Sequence, residues 1–220
     1  MAAREFLGER GVDFRSLNIR DEGEGTERWQ EAGRPTVPSL VVDGEAHPVL
    51  HVSQLAELLD LDPPAGGSPV RDAHDAAAIL DVWLGRIRGL GWERLLAPTA
   101  SRGRSLRGLT VNVFHPFELL PGAWETGRFD WRPEDDGLRE AELGDRQALV
   151  GWAAAIALLW GGFEFDGDRR VETSRGDVSW SSLLSFQRWH AAYHYRQLAI
   201  SLGEEPDLDL EDLSLPAEVF

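Results

Sequence analysis

Trp180–Leu198 reads WSSLLSFQRWHAAYHYRQL, inside a segment that the spacing predicts as a long helix over 178–202. His190 and His194 stand four apart in it, which puts both imidazoles on one helical face about one turn apart. Two rings so placed are close enough to ligate a single metal ion. The same spacing also arises on ordinary helix surfaces, so the pair alone does not choose between the two.

Working outward, apolar residues recur every three or four positions in three further segments, as in Leu80, Trp83, Leu84 and Ile87. These predict helices over 71–89, 105–126 and 145–160, with a charge-rich loop over 127–143. Four amphipathic helices around one core is the economical architecture for 71–203. Trp83, Trp152, Trp160, Trp180 and Trp189 fall at core spacing and read as packing. The longest apolar run, Ala148–Phe163, is shorter than the roughly 20 residues that cross a bilayer. An acidic, leucine-dotted tail occupies 204–220.

Toward the N-terminus, 62–70 (DPPAGGSPV) is dense in proline and glycine and marks a boundary. Before it, residues 1–61 predict a smaller α/β unit. Ala2–Arg10 is helical in composition and stops at Gly11; Val12–Ile19 alternates like a strand; 21–32 reads as a short helix. In Thr36–Leu50 two extended runs flank Asp43-Gly44, a strong hairpin signal, and Val52–Leu61 closes the unit as a helix.

Charge and composition narrow the function classes. A formal charge of −16 repels phosphate backbones and anionic headgroups, so neither nucleic acid nor membrane is an expected partner. Cysteine is absent, which removes disulfides, thiolate metal sites and any cysteine nucleophile from this chain. The opening residues, MAAREFLGER, have no apolar signal core, and the expected location is the cytoplasm.

The last helix, with its opening Trp180, its two histidines and the ending Arg196-Gln197-Leu198, resembles that of the DinB-like metal proteins. That resemblance implies a four-helix bundle with a divalent metal, zinc or nickel, on three histidines. His190 and His194 take two of the roles. The third falls to His115 in LTVNVFHPFELL, although counting from Ser105 places the usual position on Asn112; asparagine is the poorer ligand, which favours His115. Gln187, Glu118 and Tyr193 are candidate partners for the imidazoles. His47, His51 and His74 lack such a context and read as surface residues.

Residues 1–61 resemble glutaredoxin from its first helix onward, a thioredoxin-like α/β fold. Thr36-Val37-Pro38 match the family's cis-proline segment, which implies a backbone that pairs with a bound thiol compound. The family's first strand and cysteine turn would lie immediately before Met1, so a cysteine pair encoded upstream would make the protein a redox enzyme. For the chain as given, thiol–disulfide exchange has no nucleophile.

Together the resemblances imply a metal-dependent enzyme that transfers a low-molecular-weight thiol, of the mycothiol or bacillithiol class, to a small electrophile, or a related isomerase, and that pairs as a homodimer. Arg188 or Arg196 would meet a substrate carboxylate or lie exposed on the helix. The alternative is a non-catalytic binding or stress-response module, in which the first unit lacks its cysteines and the bundle has lost a ligand to Asn112.

Overall fold

A computed structural model describes residues 3–19, 23–33, 39–49, 52–62, 69–99, 104–174 and 176–205. The chain divides into two compact units, one over 1–66 and one over 67–213.

In the first unit the described elements are α1 (Ala3–Glu9), α2 (Glu24–Glu31), β1 (Ser39–Val42), β2 (Glu45–Pro48) and α3 (Val52–Leu58). β1 and β2 form the hairpin expected from Asp43-Gly44, with Val42 opposite Glu45. Asp43 (φ 51°) and Gly44 (φ 87°) both take positive φ, as a two-residue turn matched to strand twist requires. Phe6, Leu7, Val49, Leu55 and Ala56 make the core, with Val12, Phe14, Leu40, Leu59 and Leu61 packed against it. Val12 and Phe14 therefore keep the inward alternation read from the sequence, but 12–18 is not a strand. Alternation buries a face; a strand also needs a ladder partner, and none pairs with this segment among the described residues.

The second unit holds α4 (Pro69–Arg88), α5 (Trp92–Leu96), α6 (Leu106–Thr126), β3 (Arg128–Phe129), a 3-10 turn (Pro133–Asp135), α7 (Asp136–Glu142), α8 (Arg146–Gly161), β4 (Arg170–Thr173), β5 (Gly176–Ser179) and α9 (Trp180–Leu202). Three of the long helices, α6, α8 and α9, begin on side-chain caps. Ser105, Asp145 and Ser179 accept from the backbone N–H of Gly108, Ala148 and Ser182, satisfying donors that have no helical partner. α4 packs on α8 and α9, and α6 packs on the same two helices. Trp83, Ile79, Leu80 and Ile87 of α4, Phe114 and Phe117 of α6, Leu149 and Ala153 of α8, and Trp180, Tyr195 and Leu198 of α9 fill the space between them.

Two buried indoles of this core are paired within it. The Trp83 indole N–H donates to Thr110 Oγ1 (3.1 Å), and that hydroxyl donates to the Leu106 carbonyl (2.8 Å). Pro121 inside α6 has no N–H for the carbonyl of Phe117, four residues back. The Trp160 indole N–H fills that vacancy at 2.7 Å, so a helix defect on α6 becomes a tie to α8.

The segment 127–143, expected as a loop, carries β3, the 3-10 turn and α7. β3 runs parallel to β4, and β4 pairs antiparallel with β5, with Val171 and Val178 opposed and buried. Val178 therefore belongs to a strand, and α9 starts two residues later than its apolar pattern suggested. A two-residue strand is too short for alternation to be read, and β4 and β5, at four residues each, lie at the lower limit.

Candidate functional site

α9 is anchored at its start by Asp168, whose carboxylate accepts from the backbone N–H (3.0 Å) and hydroxyl (2.9 Å) of Ser181. About two and a half turns further along, His190 is buried at 7% exposure, and one turn beyond it His194 is half-buried. Their rings meet edge to face, with centroids 4.7 Å apart, so the spacing expected from the sequence does bring them together.

Each ring is held differently. His190 lies against the Trp131 indole (5.4 Å between centroids) and parallel to Phe186 (6.2 Å), and its Nδ1 is buried without a hydrogen-bond partner. Burial first, then the neighbouring His194 and the Arg104 guanidinium, hold its pKa well below the ordinary 6.5. It is therefore a neutral ring at physiological pH, offering a lone pair. His194 Nδ1 lies 2.8 Å from Gln197 Oε1; an amide oxygen only accepts, so Nδ1 carries the proton and Nε2 the lone pair.

His115 sits on α6, 8% exposed, and its Nδ1 lies 2.9 Å from Asp136 Oδ1. The same carboxylate accepts from Asn112 Nδ2 at Oδ2 (2.7 Å) and from the Trp131 indole N–H at Oδ1 (3.1 Å). Local structure explains the convergence. Asn112, His115 and Glu118 follow at three-residue steps along α6, and α7 is docked there by the ion pairs Arg107–Glu140 (2.8 Å) and Arg139–Glu118 (3.0 Å). Arg139 and Glu140 are three and four residues beyond Asp136, so they share its face of α7 and carry the carboxylate onto Asn112 and His115. Neither residue displaces the other as the inward polar group of α6: both turn to Asp136.

Among the described residues no three His, Asp or Glu side chains gather at metal-holding distance. The donor chemistry of the pair suits a divalent ion: one neutral imidazole with an unpartnered buried nitrogen, and one whose Nδ1 is turned to a neighbouring amide oxygen. His115 is joined to them through Asp136 and Trp131 rather than by direct convergence.

The other candidates fall out as follows. Thr36, Val37 and Pro38 lie outside the described residues, as do His51 and the tail from 206 onward. Gln187 is buried and its Oε1 has no partner; Glu118 is engaged by Arg139; Tyr193 stacks on Trp189 (5.5 Å) and meets His194 edge on (5.1 Å). The residues that hold the imidazoles are thus Asp136, which the sequence reading did not name, and Gln197, which it named only in the closing Arg196-Gln197-Leu198. Arg188 is not available to a substrate: its side chain is 11% exposed and paired with Asp72 (3.2 Å) and Asp75 (3.0 Å) of α4. His74 is exposed and His47 half-buried.

A glutaredoxin family model matches residues 1–47, and the N-terminal unit is glutaredoxin-like. No curated protein and no solved structure matches the chain. No described helix is long and apolar enough to cross a membrane.

Proposed function

We propose that the helical unit is a DinB-like bundle that holds a divalent metal, zinc or nickel, through His190 and His194 with His115 as the third nitrogen, and that the protein transfers a low-molecular-weight thiol to a small electrophile. The observation that carries this is the buried, unprotonated His190, its Nδ1 unpartnered, edge to face with a tautomer-fixed His194. Such an ion, when bound, lowers the pKa of a thiol it holds. What the chain does is prepare for it. Burial keeps His190 from competing for protons, Gln197 orients His194, and Trp131 and Phe186 keep water from the His190 ring.

The sulfur must come from the substrate, because the chain has no cysteine. A glutaredoxin-like unit suits that role, since the resemblance assigns Thr36-Val37-Pro38 to the segment with which the family pairs a bound thiol.

A second reading, a non-catalytic binding module, is favoured by one observation: among the described residues the three rings do not gather at one point. Metal content separates the two. The full chain is purified and its zinc, nickel, iron and manganese are measured beside those of a His190→Ala/His194→Ala double variant. Stoichiometric metal that vanishes in the variant supports the enzyme; a metal-free wild type whose melting temperature is unmoved by added zinc or nickel refutes it.

A further inference from the structure

Asp136 is the most heavily used polar side chain near the histidines, and its partners are unusual for a buried carboxylate. It is 7% exposed, yet among the described residues no arginine pairs with it; its three donors are an imidazole, a carboxamide and an indole. A buried carboxylate is a costly way to join two helices, since apolar packing serves stability as well or better. What it supplies that apolar packing does not is direction. The Asn112 amide N–H and the Trp131 indole N–H can only donate, so Asp136 meets both as an acceptor, and accepting from His115 as well puts that ring's proton on Nδ1.

We propose that Asp136 is the positioning residue of this site: it holds His115 in the Nδ1–H tautomer and so leaves Nε2 as the ring's ligand nitrogen. Oδ1 is shared by His115 and Trp131, and the Trp131 ring lies on His190. One carboxylate therefore sets the ring on α6 and the indole that shields the ring on α9. Asn112 takes Oδ2, which stops the carboxylate from rotating away. The residue that stands where a ligand was expected becomes the brace of the neighbouring histidine. The use made of Nε2 rests on the metal reading above; the tautomer does not.

Two variants distinguish direction from mere packing. Asp136→Leu removes every acceptor. Asp136→Asn keeps an amide oxygen for His115 and Trp131 and places its NH2 toward Asn112, whose own amide can turn over and offer the Oδ1 that now has no partner. In the metal-free full chain, ¹⁵N–¹H long-range NMR of the imidazoles, with His115 assigned by its loss in His115→Gln, should show Nδ1–H at His115 in the wild type and in Asp136→Asn. Zinc titrated into folded protein should bind roughly 10- to 100-fold more weakly to Asp136→Leu, with Asp136→Asn between the two. An Nε2–H tautomer at His115 in the wild type overturns the proposal, and so does Asp136→Asn binding zinc as tightly as wild type, a comparison that survives if Asp136→Leu does not fold. A wild type that shows Nδ1–H but binds no zinc upholds the positioning and sinks the metal reading, so the two fail separately.

Discussion

Replacing Arg188 by methionine should be among the most damaging single changes to the helical unit, and the reason is electrostatic more than steric. The guanidinium on α9 is the shared partner of Asp72, 3% exposed, and Asp75, 21% exposed, both on α4. Counting charges, the two carboxylates face Arg188 and the more exposed Arg71, 3.9 Å from Asp75, so the cluster is balanced until Arg188 is removed, which leaves an excess of −1. Methionine fills a similar volume but leaves two carboxylates next to each other, one of them fully buried. Removing one partner of a buried pair costs about 3–5 kcal/mol. Because Asp75 retains some water, the lower end, about 3 kcal/mol, is the expected value. Asp72→Asn should behave oppositely. Burial is the main influence on Asp72 and raises its pKa, with Arg188 opposing it, so the folded chain already disfavours this charge. The amide keeps an oxygen for Arg188 and removes a charge that burial penalises; its cost should stay within about 1 kcal/mol, and stabilisation is allowed. The pH dependence has a definite sign. An acid whose folded pKa is raised binds its proton more readily when folded, so the penalty is full at neutral pH and relieved as the pH falls through the raised value toward 3.8. Asp72→Asn should abolish that relief. Urea unfolding followed by tryptophan fluorescence is the assay, since Trp29 is the one tryptophan of nine outside the helical unit. A loss of about 3 kcal/mol moves the midpoint by roughly 1–3 M for ordinary m-values. If Asp72→Asn proves as destabilising as Arg188→Met, the cluster is held by its hydrogen bonds rather than by charge balance, and the argument fails.

Three further outcomes follow from named contacts. Trp160→Phe strands the Phe117 carbonyl and should cost about 1–3 kcal/mol, but Pro121→Ala restores a backbone donor to that carbonyl, so a double-mutant cycle should show favourable coupling of about 1 kcal/mol; additive effects would mean that the indole bond is incidental. In chelator-treated protein, His190 binds a proton more readily unfolded than folded, so stability should be complete above pH 6.5 and decline as the pH falls from there toward the lowered folded value; His190→Gln should flatten that part of the profile, and an unchanged slope would contradict a buried neutral ring. Gly44→Val forces a β-branched residue to φ 87° and should destabilise the hairpin by about 1–2 kcal/mol, whereas Gly44→Asn should be milder; amide exchange in β1 and β2 reads both.

The parts of this fold that a reader of the sequence can find are those specified by neighbours in the chain. Ser105, Asp145 and Ser179 cap helices with their own next turn, and Asp43-Gly44 turns the hairpin with two residues. The amphipathic spacing of Leu80, Trp83, Leu84 and Ile87 buries all four. What escapes is short or paired at a distance. β3 has two residues and finds its partner β4 more than forty positions later. Val12 and Phe14 show the converse error, a sound local pattern with no ladder to complete it.

The same division explains the site. His190 and His194 are visible because one helix turn brings them together, and Gln197 lies within a turn of His194. Asp136 is invisible because nothing local marks it among the acids of 127–143; it matters only when the ion pairs of Arg139 and Glu140 lay α7 along α6. Arg188 is misread for the same reason, since the carboxylates that claim it are more than a hundred positions away. The choice between His115 and Asn112, which spacing leaves open, is in this light wrongly posed. Three residues apart on one helix, they can reach a single carboxylate together, so the helix supplies one ring with a lone pair to offer and one amide that keeps the carboxylate in place for it.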